Sequence, residues 1–298
     1  MKPSMKSAYR DRAGNGPLVA EYYADLTAPL QKGTGDMRLA SYGLWGPETR
    51  TEQESLERSI HLLADGCGLR PGMRVLDAGC GVGGATVFLA RAYGVRITGL
   101  TNCEPHVAAG TEWAEENGVG HLADFRHGDF MDIPFPDATF DAVINLESFC
   151  YAAPADRPAY MRGVRRVLKP GGRWCLMETL LSGKEMSPAQ DAVHVSLQRS
   201  CLVPPLMPLR DLTAMMRRTG LADIEVRDLD AEVAPFIESL TKRWKTFVLL
   251  TPPPKPDQVA YHELMQSSID FGQGLREGVF TYPRVSGVNP GPMPAADS

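Results

Sequence analysis

Five short apolar stretches recur through the middle of the chain: "RVLDAG" (74 to 79), "RITGLT" (96 to 101), "DFRHGD" (124 to 129), "FDAVINL" (140 to 146) and "RWCLMETLL" (173 to 181). Helical stretches such as "ATVFLARAYG" and "DRPAYMRGVRRVL" separate them. Strands interleaved with helices of about 10 to 15 residues build right-handed βαβ units and a mainly parallel sheet. Ligands of such sheets bind outside the carboxyl ends of the strands, so residues at those ends are where function is expected.

Three zones flank and contain this alternation. Residues 1–70 carry helical spacing in "LVAEYYADL" and "ESLERSIHLLADGCGL" and form an N-terminal helical cap. Residues 71–182 are the sheet-bearing core. Residues 183–286 hold further helices, expected to lie over the sheet as a lid, together with the last strands, "DIEVRDL" and "GVFTYPRV"; residues 287–298 are expected to form a frayed tail.

The 298 residues carry a net charge of -5, which gives no general pull toward nucleic acid. No run approaches the ~20 apolar residues a bilayer crossing needs, and the first residues lack the apolar stretch of a secretory signal. A cytoplasmic location is expected. The six cysteines show no metal-ligand spacing and read as reduced packing residues, with no metal site. Self-association is neither required nor excluded.

"VLDAGCGVGG" runs from a strand through a glycine-rich turn into a helix. Gly79, Gly81 and Gly84 satisfy a dinucleotide fingerprint that is weak alone. Asp77 precedes it, and a carboxylate there would repel a pyrophosphate and attract an ammonium. About 20 residues on, Thr101 and Asn102 can bond ribose hydroxyls. Asp129, after the third strand, can accept from an adenine amino group beside the Phe130 ring. Together these groups describe S-adenosylmethionine (SAM).

Through "VLDAGCGVGG", "GDFMDIPFPDATFDAV" and "VLKPGGRW" the chain resembles the class I SAM-dependent methyltransferases over roughly residues 40 to 182. The resemblance implies a single methyltransferase domain over 1–298, of α/β class: a doubly wound, Rossmann-like, seven-stranded and mostly parallel sheet whose last strand is antiparallel, a place "GVFTYPRV" could fill. It implies Asp77, Gly79, Gly81, Gly83, Thr101, Asn102, Asp129 and Phe130 as cofactor-binding residues. The segment "GLTNCEPH" lacks the family's usual acid after the second strand and resembles a subgroup that methylates carbon and lipid-like acceptors, including sterols and prenyl diphosphates. In that subgroup a polar side chain five residues after the threonine touches the cofactor, and His106 holds that place. An N-terminal aromatic loop closes over the methionine end; Tyr42 matches it, with Trp45 nearby.

"INLESFCY" (144 to 151) ends a buried strand on an acid, Glu147, and an unpartnered buried carboxylate is costly. The prenyl-diphosphate methyltransferases carry Asn-x-Glu-Ser-x-x-Tyr there, and Asn145, Glu147, Ser148 and Tyr151 reproduce it. The resemblance places Asn145 with the cofactor-binding residues and Glu147 and Tyr151 with the catalytic ones. An alkene that attacks an electrophilic methyl becomes a carbocation, which a glutamate can stabilise and then deprotonate. Tyr22, Tyr23, Phe149 and Tyr151 could add cation–π attraction. Glu147 could equally orient a ligand or cap the next turn, since O- and N-methyltransferases of sugars, polyketides and phenols also show Glu-Ser here. The expected acceptor is a small hydrophobic molecule, an isoprenoid such as a terpene or prenyl diphosphate, and a diphosphate would also require Mg²⁺. Arg199, Arg210, Arg217 and Arg218 could clamp one or form a solvated face. His194 reads as a core histidine.

Overall fold

A computed structural model of the chain describes residues 16–33, 37–255 and 258–291. Its centre is a seven-stranded sheet of β1 (Arg74–Ala78), β2 (Arg96–Thr101), β3 (Ala123–His127), β4 (Phe140–Leu146), β5 (Leu168–Met177), β7 (Ala222–Asp228) and β9 (Pro283–Val288). A separate two-stranded pair is made by β6 (Leu180–Leu181) and β8 (Phe280–Thr281). The order in the large sheet is β3-β2-β1-β4-β5-β9-β7. β1 to β5 pair in parallel, while β9, "PRVSGV", runs antiparallel between β5 and β7; of the expected strand "GVFTYPRV" only "PRV" belongs to it, and Phe280 and Thr281 form β8 instead. Strand order reverses at β1, so the carboxyl ends of β1 and its neighbours β2 and β4 frame the crevice where such sheets take ligands.

The strands bury both faces, which is why they read as continuous apolar runs. Along β4 and β5, Ala142, Ile144, Cys175 and Met177 face one side and Val143, Trp174 and Leu176 the other. The first side packs on α2 (Glu52–Cys67) and α3 (Gly84–Tyr93); the second packs on α5 (Arg157–Val167) and α7 (Leu209–Arg218). Helix α2 begins where its sequence dictates. Thr51 accepts the Glu54 N–H while the Glu54 side chain reaches back to the Thr51 N–H, a reciprocal cap that satisfies two otherwise orphaned donors.

The cover over the strand ends is built from α1 (Gly16–Gly33), α6 (Pro188–Cys201), α8 (Asp230–Leu250) and α9 (Val259–Arg276). Val19, Tyr22, Leu26 and Leu30 of α1 pack on Val82 of the glycine turn, on Leu202 and on Ala260. Two expectations are corrected. Helix α7 is no part of a lid: its Leu212, Met215 and Met216 are sheet-face core. Residues 287–291 are no tail either. Gly287 and Val288 complete β9, and Asn289 is buried, its side chain donating to the Leu168 carbonyl at 2.9 Å. The remaining tail, from 292, and the first fifteen residues lie outside the described residues. Among the described residues no helix is long and apolar enough to cross a membrane.

Candidate active site

The carboxyl ends of the strands open into a cleft of about 1270 Å³ lined by Asp77, Gly79, Gly81, Thr101, Asn102, His106, Asp129 and Phe130. Asp77, at 2% exposure, accepts from Thr86 Oγ1 of α3 at 2.7 Å. Burial raises its pKa to about 6, and the Thr86 bond only partly offsets that rise. Gly79 is positioned by contact as well as by conformation. Its φ is +98°, and a Cβ there would lie 2.4 Å from Ser148 Cβ, so any side chain would push β1 and β4 apart at their tips. Gly84 faces the opposite neighbour, and a Cβ would lie 2.2 Å from the Met37 carbonyl. That contact holds Arg38 against the start of α3, two residues from the threonine that holds Asp77.

A second cavity, of about 1450 Å³, lies under the helical cover and is walled by side chains such as Leu56, Leu197, Val203, Leu206, Phe236 and Leu240. Glu147, Tyr23, Tyr151 and Ser41 line both cavities. Glu147 is thus where the two spaces meet. Its backbone stands at φ +52°, a left-handed conformation that costs a non-glycine residue about 1–3 kcal/mol. Its Oε1 is out of contact with solvent and has no hydrogen-bond partner among the described residues. The neighbouring Tyr282 hydroxyl feels its charge, yet no bond of hydrogen-bonding geometry joins them.

Glu178 completes the arrangement. It is fully buried, and its oxygens accept the N–H groups of Cys150 at 3.0 Å and Thr179 at 3.1 Å. Burial, followed by repulsion from Glu178, lifts the Glu147 pKa well above the carboxylate range, while Glu178 is raised by burial to about 7. Two adjacent carboxylates in one apolar site cannot both ionise readily. With its backbone donors, Glu178 is the better holder of the negative charge and Glu147 of the proton. Above them the Tyr151 hydroxyl donates to the Cys201 carbonyl at 3.1 Å, leaving Tyr23 the donor in the 2.8 Å bond between the two phenols.

A family model described as "Methyltransferase domain" matches residues 75–172. The chain is 35% identical over 234 residues to the sterol 24-C-methyltransferase of Yarrowia lipolytica, covering 76% of this chain and 60% of that one. It spans about half the length of the curated sterol relatives it matches. It is 32% identical to the 27-O-demethylrifamycin SV methyltransferase of Amycolatopsis mediterranei, with 68% of this chain and 74% of that one aligned. The chain belongs to the class I SAM-dependent methyltransferases. The structure of this methyltransferase also resembles that of geranyl diphosphate C-methyltransferase from Streptomyces coelicolor A3(2), solved with Mg²⁺, geranyl-S-thiolodiphosphate and S-adenosyl-L-homocysteine. The TM-score is 0.72 at 19% identity, covering 92% of this chain and 97% of that chain, a likeness of fold.

The cleft of this methyltransferase fits SAM by its donor set. Asp77 offers an anion for the ammonium of the methionine end. Arg38 lines the same cleft with a buried Nη1 that has no hydrogen-bond partner among the described residues, while its Nη2 is held by Glu116 at 3.0 Å; that nitrogen suits a carboxylate. "DMRLA" gave no sequence signal for it, because an arginine beside a loop normally reads as surface. His106 is buried and donates from Nε2 to the Tyr23 carbonyl at 3.1 Å, and burial lowers its pKa to about 4, so it is neutral. Asp129 is exposed and lends an oxygen to the Met131 N–H at 2.9 Å, so it caps its turn as well as facing the cleft.

Several expected positions fall elsewhere. Gly83 caps the start of α3 against Phe125 rather than lining the cleft, where Gly84 stands instead. Tyr42 lines the second cavity, stacked on Phe271 at 4.9 Å, and not the cofactor cleft. Of the four candidate aromatics, Tyr23 and Tyr151 face the cavities. Tyr22 is buried among the cover helices and Phe149 against Tyr160 and Trp174. Arg199, Arg210, Arg217 and Arg218 do not line either cavity. His194 is buried beside Phe280, as a core histidine.

Asn145 lies beneath the site, at 0% exposure, and does not line the cleft. Its amide donates to the Ala78 carbonyl and Ser148 Oγ, both at 2.8 Å, and accepts from the Tyr160 hydroxyl at 2.6 Å and Trp174 Nε1 at 2.8 Å. It therefore ties the tip of β1 to that of β4 and holds the turn that carries Glu147. Asn145→Ala orphans two buried donors, each costing about 1–3 kcal/mol, so a loss of about 3–5 kcal/mol is expected in urea denaturation. A variant as stable as the wild type would show that the network is not the tie described.

Proposed function

We propose that this methyltransferase transfers the methyl of SAM to a carbon of a small hydrophobic acceptor of isoprenoid type. The observation that carries the reading is the position of Glu147, held in a strained backbone conformation with an unpartnered oxygen where the cofactor cleft meets an apolar cavity. Bound SAM would present an electrophilic methyl to that junction. An acceptor double bond that gained the methyl would be left cationic, and the residues around it suit that charge. Glu147 and Glu178 supply negative charge, and the rings of Tyr23 and Tyr151 present polarisable faces. Glu147, once ionised, would take the proton from the neighbouring carbon. The sterol relative's printed activity supports carbon as the target.

Within the isoprenoid class, a neutral acceptor fits better than a diphosphate. Arg243 is the single basic residue among the described residues lining the second cavity, and Glu52 already holds it through a two-pronged ion pair. The negative charge that Glu178 holds beside protonated Glu147 would repel a diphosphate. No group of three or more acidic, histidine or cysteine side chains among the described residues is set to hold a metal ion. With a neutral acceptor, Mg²⁺ is not needed. The rifamycin relative favours a second reading, O-methylation of a polyketide-like hydroxyl, with Glu147 as base toward that hydroxyl. Incubation with ¹³C-methyl SAM and a panel of sterols, terpene alcohols and geranyl diphosphate, with and without Mg²⁺, tests both. The expected product is a neutral isoprenoid carrying the label on carbon without added metal. A label on oxygen would assign the second reading, and turnover confined to geranyl diphosphate with Mg²⁺ would overturn the neutral acceptor.

A further inference from the structure

Five large apolar side chains are well exposed among the described residues, and four are consecutive: Phe247, Val248, Leu249 and Leu250, the last two at 85% and 79%. They close α8. From Lys245 to Leu250 every residue is exposed, and past Phe247, whose ring lies 6.0 Å from that of His262 on α9, the end of α8 stands clear of the body while remaining helical. A helix end that is apolar on all sides has nothing to gain from water and calls for an apolar medium.

Two further features say which medium. Residues 245–255, "KTFVLLTPPPK", contain two lysines and no acid in a chain of net charge -5, so the protruding end is locally basic against an acidic whole. Phe236, Leu240 and Arg243, spaced four and three apart, put one stripe of α8 on the wall of the second cavity, and Phe247 is the next residue along that stripe. The apolar path thus leads from the cavity wall out to the exposed tip. A second copy of the chain is a poorer occupant, since pairing two such tips would bring their lysines together.

We propose that the end of α8, residues 245–250, docks onto an anionic lipid surface, its apolar side chains entering the interface while Lys245 and Lys255 meet the headgroups. In that pose the edge of the second cavity lined by the half-exposed Arg243–Glu52 pair would face the lipid and serve as its mouth. The use of that mouth for acceptor entry rests on the hydrophobic acceptor proposed above. The docking itself does not, and it is measured without any acceptor.

The test is co-sedimentation of the full chain with vesicles of equal parts phosphatidylglycerol and phosphatidylcholine. Wild type should bind, more weakly as salt rises. Leu249→Asp and Leu250→Asp should each weaken binding on the order of tenfold or more. Both variants should bind S-adenosylhomocysteine as the wild type does, which shows that they fold. No binding by the wild type, or equal binding by the variants, overturns the proposal. So does a wild-type dimer in sedimentation velocity that the same substitutions turn monomeric, because the tip would then be covered by a second copy. If turnover failed to depend on Glu147 while vesicle binding persisted, the acceptor reading would fall and the docking would stand.

Discussion

Glu147→Gln is expected to lower turnover by about 10²–10⁴-fold, the usual range for loss of a positioned base, while S-adenosylhomocysteine binds as before. Gln keeps the length of the side chain and the left-handed backbone of residue 147, and it resembles the protonated glutamate of the resting protein, so the fold has little reason to change. What it removes is the capacity to carry negative charge and to take a proton at the junction of the two cavities. Glu178→Gln makes the complementary perturbation. Ionised Glu178 favours the proton on Glu147. Removing its charge lowers the Glu147 pKa, and since the proposed base acts in its ionised form, the acidic limb of the rate profile should move to lower pH. Burial, the larger cause of the rise, persists, so the limb stays above the ordinary glutamate range. Full turnover by Glu147→Gln with every acceptor would remove it from the chemistry and leave it as an orienting group or a cap.

The parts of the site legible in the sequence are those where local pattern and tertiary position coincide. An acid before a glycine turn at a strand end can hardly avoid the crevice of a doubly wound sheet, so Asp77 falls where it is expected. Glu147 does so because an acid ending an apolar strand needs a reason to be there. The same criterion also singles out Glu178 in "CLMETLL", but that stretch reads as one unbroken strand. In the fold β5 stops at Met177 and the separate β6–β8 pair takes over, so Glu178 sits at a strand end just as Glu147 does. Helical phase defeats the aromatics: Tyr22 and Tyr23 lie about 100° apart around α1, so only one of them faces the cavities. Asn145 and Asn289 are opaque for another reason. Apart from Ser148 and the Gly291 N–H, their bonding partners stand more than a dozen residues away, in strands and helices whose pairing no local window records.

Asp77→Asn should separate what the cofactor site needs from what the fold prefers. Burial raises the Asp77 pKa to about 6 from the ordinary 3.8, so the folded chain favours the protonated acid. Below pH 3.8 both folded and unfolded chains hold that proton and there is no cost. As pH rises from there to about 6 the unfolded chain ionises first, and stability falls by roughly 3 kcal/mol before levelling off. Asparagine never incurs that cost and can still accept from Thr86, so at neutral pH the cofactor-free variant should melt higher than the wild type. Its affinity for S-adenosylhomocysteine should nevertheless fall on the order of 100-fold if, as we propose, Asp77 is the charged partner of the ligand's ammonium. The wild type itself should lose affinity below about pH 6, approaching tenfold per pH unit as Asp77 protonates. The variant should be flat across that window. Calorimetric titration of both proteins over that range decides the matter: an Asp77→Asn variant that binds as tightly as the wild type would mean that the methionine end is held elsewhere in the cleft, with Arg38 rather than Asp77 as its principal charged contact.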